Sequence, residues 1–149
     1  MNILPVRLFI DPVLHKSCET VIDFSNLQEL AESMLLTMME NRGIGLAANQ
    51  VGISKQFFVA NIEERSRIIM VANPVITCYN KEMTEELEGC LSAPNISVKI
   101  KRPTWVEFEY CKLNGEKDKM RLEGFDCRIF FHEYSHLQGQ MITDSIGKL

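Results

Sequence analysis

His132, Glu133 and His136 stand in the string His132-Glu133-Tyr134-Ser135-His136, and the spacing of the two imidazoles points to chemistry. Residues four apart lie on one face of a helix, so both rings can reach a single divalent ion. Glu133 sits beside them, placed to handle the proton of a water activated at that ion. Phe125, Ile129 and Leu137 share the stripe, which turns the histidines inward among apolar side chains. A pair of hydrogen-bonded core histidines is the alternative reading of the same residues.

Two histidines hold a catalytic metal poorly, so a real site needs a third ligand. The pattern HExxHxxGxxH would place it downstream. Gly139 fits, but the last position is Ile142, which cannot ligate. A distant downstream glutamate is also excluded, because only 13 residues follow His136 and their one acid, Asp144, is too near. The third ligand therefore comes from upstream, and the best candidate is Cys90 in Glu88-Gly89-Cys90-Leu91-Ser92. A thiolate suits a borderline divalent metal, and Gly89 lets the backbone come close to the ion. Cys18, Cys78, Cys111 and Cys127 lie in apolar or strand contexts and read as small packed hydrophobes.

A third cluster runs from Gly43 to Gly52, with three glycines and two alanines in ten residues. No Gly-Lys-Ser/Thr follows, so it is not a phosphate loop. It reads either as a tight connection or as a substrate-facing loop. In the second case the Gln50 amide can stabilise a developing oxyanion beside the metal.

The elements that must position these clusters follow from periodicity. A helix is predicted from about Ser25 to Arg42, with Ser25 and Gln28 as a capping box and Gly43 as the stop. Its apolar stripe is Leu27, Leu30, Ala31, Met34, Leu35, Met38 and Met39. Strands are predicted at 56–62, 67–73, 75–79, 96–101 and 105–111. In the last, Val106, Phe108 and Tyr110 alternate with Glu107 and Glu109, as on a sheet with one wet face. Asn114-Gly115 turns the chain into a hairpin partner, and a second helix runs from about Leu122 to Gln138, closed by Gly139. Helix, antiparallel strands, then helix indicates a single α+β domain over residues 1–149. Its antiparallel sheets pack around a central HExxH helix, with a second helix near the N-terminus.

With 149 residues, 46% of them hydrophobic and 24% charged, the chain can bury a core without disulfide staples. A formal charge of −4 argues against a general nucleic-acid binder. Five cysteines without a secretory signal read as reduced thiols or metal ligands. Pro5, Arg7, Asp11 and Pro12 break the apolar N-terminal stretch, so neither a signal segment nor a membrane span fits, and the expectation is a soluble cytoplasmic monomer.

Gly-Ile-Gly-Leu-Ala-Ala-Asn-Gln (43–50), Glu-Gly-Cys-Leu-Ser (88–92) and His-Glu-Tyr-Ser-His-Leu-Gln-Gly (132–139), in that order, resemble the three signature motifs of the peptide deformylase family: GxGLAAxQ, EGCxS and HExDH followed by LxG. The resemblance spans essentially the whole chain. It implies a divalent metal held by Cys90, His132 and His136, with iron(II) the usual ion and zinc, nickel or cobalt able to replace it. It implies that water at this ion attacks the formyl carbon of N-formylmethionyl nascent peptides. Glu133 would take and return the proton, and Gln50 with the Leu91 backbone N–H would hold the oxyanion. The substrate would lie beside Ile44, Gly45 and Gly89, with its methionine side chain against Phe125 and Ile129, while Glu88 and Arg102 would brace the cysteine loop.

Three departures stand out. Ser135 replaces the motif's Asp, Arg128 stands where an apolar pocket residue is usual, and the chain ends at Leu149, short of the C-terminal helix with which relatives dock on ribosomes. The resemblance thus extends to short bacteriophage-encoded forms, with ribosome contact transient at most. The rival readings are a deformylase-like module that binds metal or peptide with weak or no turnover, and a structural zinc site completed by His15 or a second cysteine.

Overall fold

The computed structural model describes residues 2–146, so the expectation concerning the chain's end at Leu149 lies outside the described residues. The main elements are α1 (Leu27–Glu40), β1 (Gly45–Ala47), β2 (Phe57–Ile62), β3 (Arg67–Tyr79), β4 (Met83–Cys90), β5 (Ala93–Pro103), β6 (Trp105–Cys111), β7 (Lys117–Glu123) and α2 (Gly124–Leu137). Five strands form an antiparallel sheet in the order β1-β2-β3-β6-β7, and β4 pairs with β5 in a separate hairpin. This is the expected α+β architecture.

The two helices cover opposite faces of the large sheet, and β2 shows why. Its side chains alternate in direction, yet nearly all are buried. Phe57 and Val59 pack with Leu27, Ala31, Met34 and Met38 of α1. Phe58, Ala60 and Ile62 pack with Ile129, Phe130 and Leu137 of α2. Phe130 anchors the second layer, stacked on Phe108 at 4.2 Å between centroids and edge-on to Phe58 at 5.9 Å. Val106, Phe108 and Tyr110 face this core as their alternation predicts.

Several local expectations are corrected. Ser25 makes no capping box: its hydroxyl donates to Asp23, Gln28 donates to Glu32, and α1 starts after Asn26 with no side-chain cap. The stop of α1 is not Gly43 but Arg42 in the left-handed region, φ 56°. The Gly43 and Arg42 N–H groups then reach the Met38 and Met39 carbonyls, the paired bonds of a Schellman ending. Met39 leaves the apolar stripe and is 56% exposed. The two strands predicted at 67–73 and 75–79 are one, β3, with a register shift at Asn73 and Pro74 where proline offers no N–H to the ladder. Helix α2 begins two residues later than predicted, because Leu122 still pairs with Val106 in the sheet. Cys78 is exposed rather than packed, and all five cysteines are free thiols.

Strands β1 and β4 were not predicted. The first is three residues long; the second is exposed on both faces apart from Glu88 and Cys90, so neither carries a hydrophobic period. Both position the site. No helix among the described residues is long and apolar enough to cross a membrane.

Candidate metal centre

Cys90 lies at the end of β4, and His132 and His136 lie one turn apart on α2. The hairpin lays the thiol over the helix, so that one donor atom from each residue falls within 4.8 Å of the others. Cys90 Sγ and His136 Nε2 are 3.3 Å apart. Tetrahedral coordination with metal–sulfur and metal–nitrogen bonds of about 2.3 and 2.0 Å needs an edge of about 3.5 Å, so the donors are already near that spacing. His132 Nδ1 is 2.9 Å from Glu88 Oε1, which leaves Nε2 as the ring nitrogen that could take a metal. The residues therefore fit a divalent ion, and their thiolate–imidazole chemistry suits iron, zinc, nickel or cobalt. His15 is not part of the cluster; its ring contacts the Phe9 carbonyl and lies 3.9 Å from Asp144.

Glu88 is the hub behind these three side chains. Besides His132 it accepts two hydrogen bonds of 3.0 Å from Arg102 and one of 2.6 Å from Arg128. Burial opposes its charge, but hydrogen bonds from His132 and Arg102 and their positive charges hold the carboxyl down at about 2. Burial likewise disfavours a protonated His132, while the Cys90 and Glu88 acceptors and the Glu133 charge raise it to about 10. The position thus attracts positive charge. His136 goes the other way: burial and the neighbouring His132 charge hold it well below the usual histidine range, as a neutral ligand requires. Its backbone carbonyl accepts from Asn49 Nδ2 at 2.7 Å.

Glu133 is 3% exposed, and its Oε1 has no hydrogen-bond partner. Burial pushes its carboxyl up to about 7, against the attraction of the His132 charge and with help from Glu88. It approaches β1 so closely that a Cβ on Gly45 would stand 2.3 Å from Glu133 Oε2. Gln50 is locked at its other end: its Oε1 accepts from Ala47 N at 2.9 Å, and its Nε2 faces Ser92 Oγ at 3.1 Å and Cys90 Sγ at 3.5 Å.

These groups open on a cleft of about 540 Å³. Ile44, Gly45, Gln50, Gly89, Cys90, Leu91, Phe125, Ile129, His132 and Glu133 all line it, so only His136 of the predicted site residues does not. Phe125, expected to turn inward, is 59% exposed at the cleft rather than in the core. A Cβ on Gly89 would meet only the Ile96 carbonyl, at 3.8 Å, so no protein atom crowds that glycine. Arg128, at the position where an apolar pocket residue is usual, serves a polar role. Its guanidinium is buried, tied to Glu88 and to the Ile100 and Thr84 carbonyls. Ser135 accepts from Arg102 at 3.0 Å, joining the brace around Glu88. Asn49 and Ser92 were missed as positioning groups, although both lie inside quoted motifs.

Fold and site together define a class, a metal-dependent hydrolase in which a Cys-His-His donor set sits beside a buried glutamate. The sequence profile of the polypeptide deformylase family matches residues 3–149. A peptide deformylase of Thermus thermophilus is 40% identical, over 98% of this chain and 83% of its own. The crystal structure of the Thermotoga maritima peptide deformylase superposes with a TM-score of 0.93 at 40% identity, covering 97% of each chain. That of the Ehrlichia chaffeensis enzyme in complex with actinonin does so with 0.94 at 31% identity, covering 99% of this chain and 91% of its own. The chain belongs to the polypeptide deformylase family.

Proposed function

We propose that this protein hydrolyses the formyl amide of N-formylmethionyl nascent peptides, using Cys90, His132 and His136 to hold one divalent ion, natively iron(II). The observation that carries the reading is the convergence of this donor set with Glu133 and Gln50 on one cleft. An ion there supplies Lewis acidity, activating a water molecule for attack on a carbonyl.

The chain's own residues do the rest. Strand β1 is the end strand of its sheet, so one edge is free to receive an extended peptide beside Ile44 and Gly45. Phe125 and Ile129 offer apolar surface for the methionine side chain, with Gly89 leaving room along the opposite wall. Glu133 Oε1, buried and without a partner, accepts a proton from the attacking water. As the formyl C–N bond breaks, the same carboxyl delivers that proton to the departing amine, and formate is the second product. The Gln50 amide, its orientation fixed through Ala47, donates to the developing oxyanion with the Leu91 backbone N–H. Glu88 holds the His132 ring with Nε2 forward, and Asn49 steadies the His136 turn. The setting is the cytoplasm, as a monomer of one domain.

Protein prepared anaerobically with iron(II) or nickel(II) is expected to release free amine from formyl-Met-Ala-Ser, and metal-free protein is not. No release from protein carrying one metal per chain would reject the enzyme in favour of a binding module.

A further inference from the structure

Five of the seven arginines form ion pairs: Arg7 with Asp11, Arg67 with Glu63, Arg102 and Arg128 with Glu88, and Arg121 with Glu107. Among the described residues, the two that form none are Arg42 and Arg65, and both line the cleft that contains Glu133. Among the described residues, the only carboxylates lining the same cleft are Glu88 and Glu133, one clamped by two arginines and the other deep beside the metal ligands. In a chain of net charge −4, the outer part of this cleft is therefore positive.

Both arginines are held there by the backbone. Arg42 (φ 56°) is the left-handed residue that ends α1, and Arg65 (φ 68°) closes a run of three left-handed residues in the β2–β3 turn. Side chains other than glycine rarely adopt this conformation, and such strain persists only where neighbouring structure imposes it. The turn is tethered: the Glu63 N–H donates to Asp126 of α2, and the Ser66 N–H and hydroxyl close on the carbonyls of Ile62 and Glu63. Glu63 is occupied by Arg67, and Glu64 does not line the cleft.

Topology places the pair at one end of the sheet. Gly45 pairs with Ala60, the Asn61 N–H bonds to the Ile44 carbonyl, and the chain beyond each leads to Arg42 on one side and Arg65 on the other. A peptide lying along β1 with its formyl group at Gly45 and Glu133 leaves the site past Ile44 and Gly43. Arg42 stands three residues before Gly45, at most about 10 Å away along the chain. That distance matches the second and third residues of the substrate.

We propose that Arg42 and Arg65 form a cationic rim that selects formylated peptides with acidic side chains at the second and third positions. The inference rests on the deformylase reading above and adds a substrate class to it. The test compares kcat/KM for three C-terminally amidated peptides, formyl-Met-Asp-Glu, formyl-Met-Ala-Ser and formyl-Met-Lys-Lys, on metal-loaded enzyme. Amidation removes the terminal carboxylate as a competing anion. Exposed charge pairs of this kind give about a two- to fivefold preference per arginine, appearing in KM. The acidic peptide should lead at low salt, and the lead should shrink at about 1 M salt, where charges are screened within about 3 Å. Arg42→Asn/Arg65→Asn, which keeps a residue tolerant of the left-handed region, should bring the acidic-to-basic ratio to about one. A general loss of fold would lower all three peptides together and leave that ratio unchanged.

Turnover of all three peptides by the wild-type enzyme at equal kcat/KM would overturn the rim while leaving the deformylase reading intact. So would an unchanged ratio in the double variant, or equal kcat/KM combined with salt-dependent inhibition by an RNA oligonucleotide. No turnover of any peptide would instead strike the underlying reading.

Discussion

Gly45 offers a direct test of whether the position of Glu133 governs turnover. A methyl group at residue 45 would stand 2.3 Å from Glu133 Oε2 and 2.9 Å from its Cδ, whereas ordinary van der Waals contact begins near 3.4 Å. Gly45 is not among the positive-φ glycines, so alanine meets no backbone penalty there. Relief must come from the carboxylate, by about 1 Å. A misplacement of that size at a reacting group costs about 10²-fold in rate, or about 2.7 kcal/mol of barrier. Gly45→Ala should therefore lower kcat on formyl-Met-Ala-Ser about a hundredfold. Metal content should stay at one ion per chain, because the three atoms nearest the added methyl all belong to Glu133, and the melting temperature should move by only a few degrees. Metal analysis, thermal unfolding and steady-state kinetics on one preparation separate these outcomes. A kcat within threefold of wild type would refute the reasoning, since the carboxylate would then tolerate displacement.

Glu133→Ala should cost 10²- to 10⁴-fold in kcat while metal analysis still finds one ion per chain; retained turnover would remove Glu133 from proton transfer. Cys90→Ser replaces a soft donor with a hard one, so competition with a chelator should show weaker retention of zinc and iron(II). Arg128→Met strips one clamp from Glu88 and leaves the Thr84 and Ile100 carbonyls without their donor. With Arg102 still in place, the loss should be about 2–4 kcal/mol by denaturant unfolding, and a loss under 0.5 kcal/mol would deny the pair its role. Burial pushes the Cys18 and Cys127 thiols from 9.0 up to about 11 and about 12. Above pH 9 the unfolded chain releases these protons before the folded one, so stability should fall with rising pH by about 1.4 kcal/mol per unit for each thiol. Cys18→Ala/Cys127→Ala should flatten that alkaline limb, as read by unfolding at a series of pH values.

What the sequence made legible is what local periodicity and motif spacing encode. The two imidazoles four apart announced one face of α2, and the alternation from Val106 to Tyr110 announced a strand with one wet side. Strand β4 escaped because a hairpin exposed on both faces writes no hydrophobic period, although it delivers Cys90. Strand β1 escaped because its three residues have buried neighbours on either side of the sheet. The ending of α1 was assigned to a glycine because glycine is the usual left-handed residue, whereas here the chain puts Arg42 in that conformation.

Glu88 shows why the remainder required coordinates. Nothing in Glu88-Gly89-Cys90 distinguishes a solvated carboxylate from a hub, since its partners are 14, 40 and 44 residues away in Arg102, Arg128 and His132. The partners come from two elements, Arg102 from β5 and the other two from successive turns of α2. A carboxylate buried among them is costly unless every lone pair is used. The arrangement therefore holds or fails as a unit, and it fixes the hairpin that carries the thiol to the helix that carries the imidazoles. Arg128 then reads differently from a polar intruder in an apolar pocket. It shares Oε2 of Glu88 with Arg102 Nε, which leaves Oε1 for Arg102 Nη2 and His132 Nδ1 and so leaves Nε2 as the ring nitrogen open to an ion.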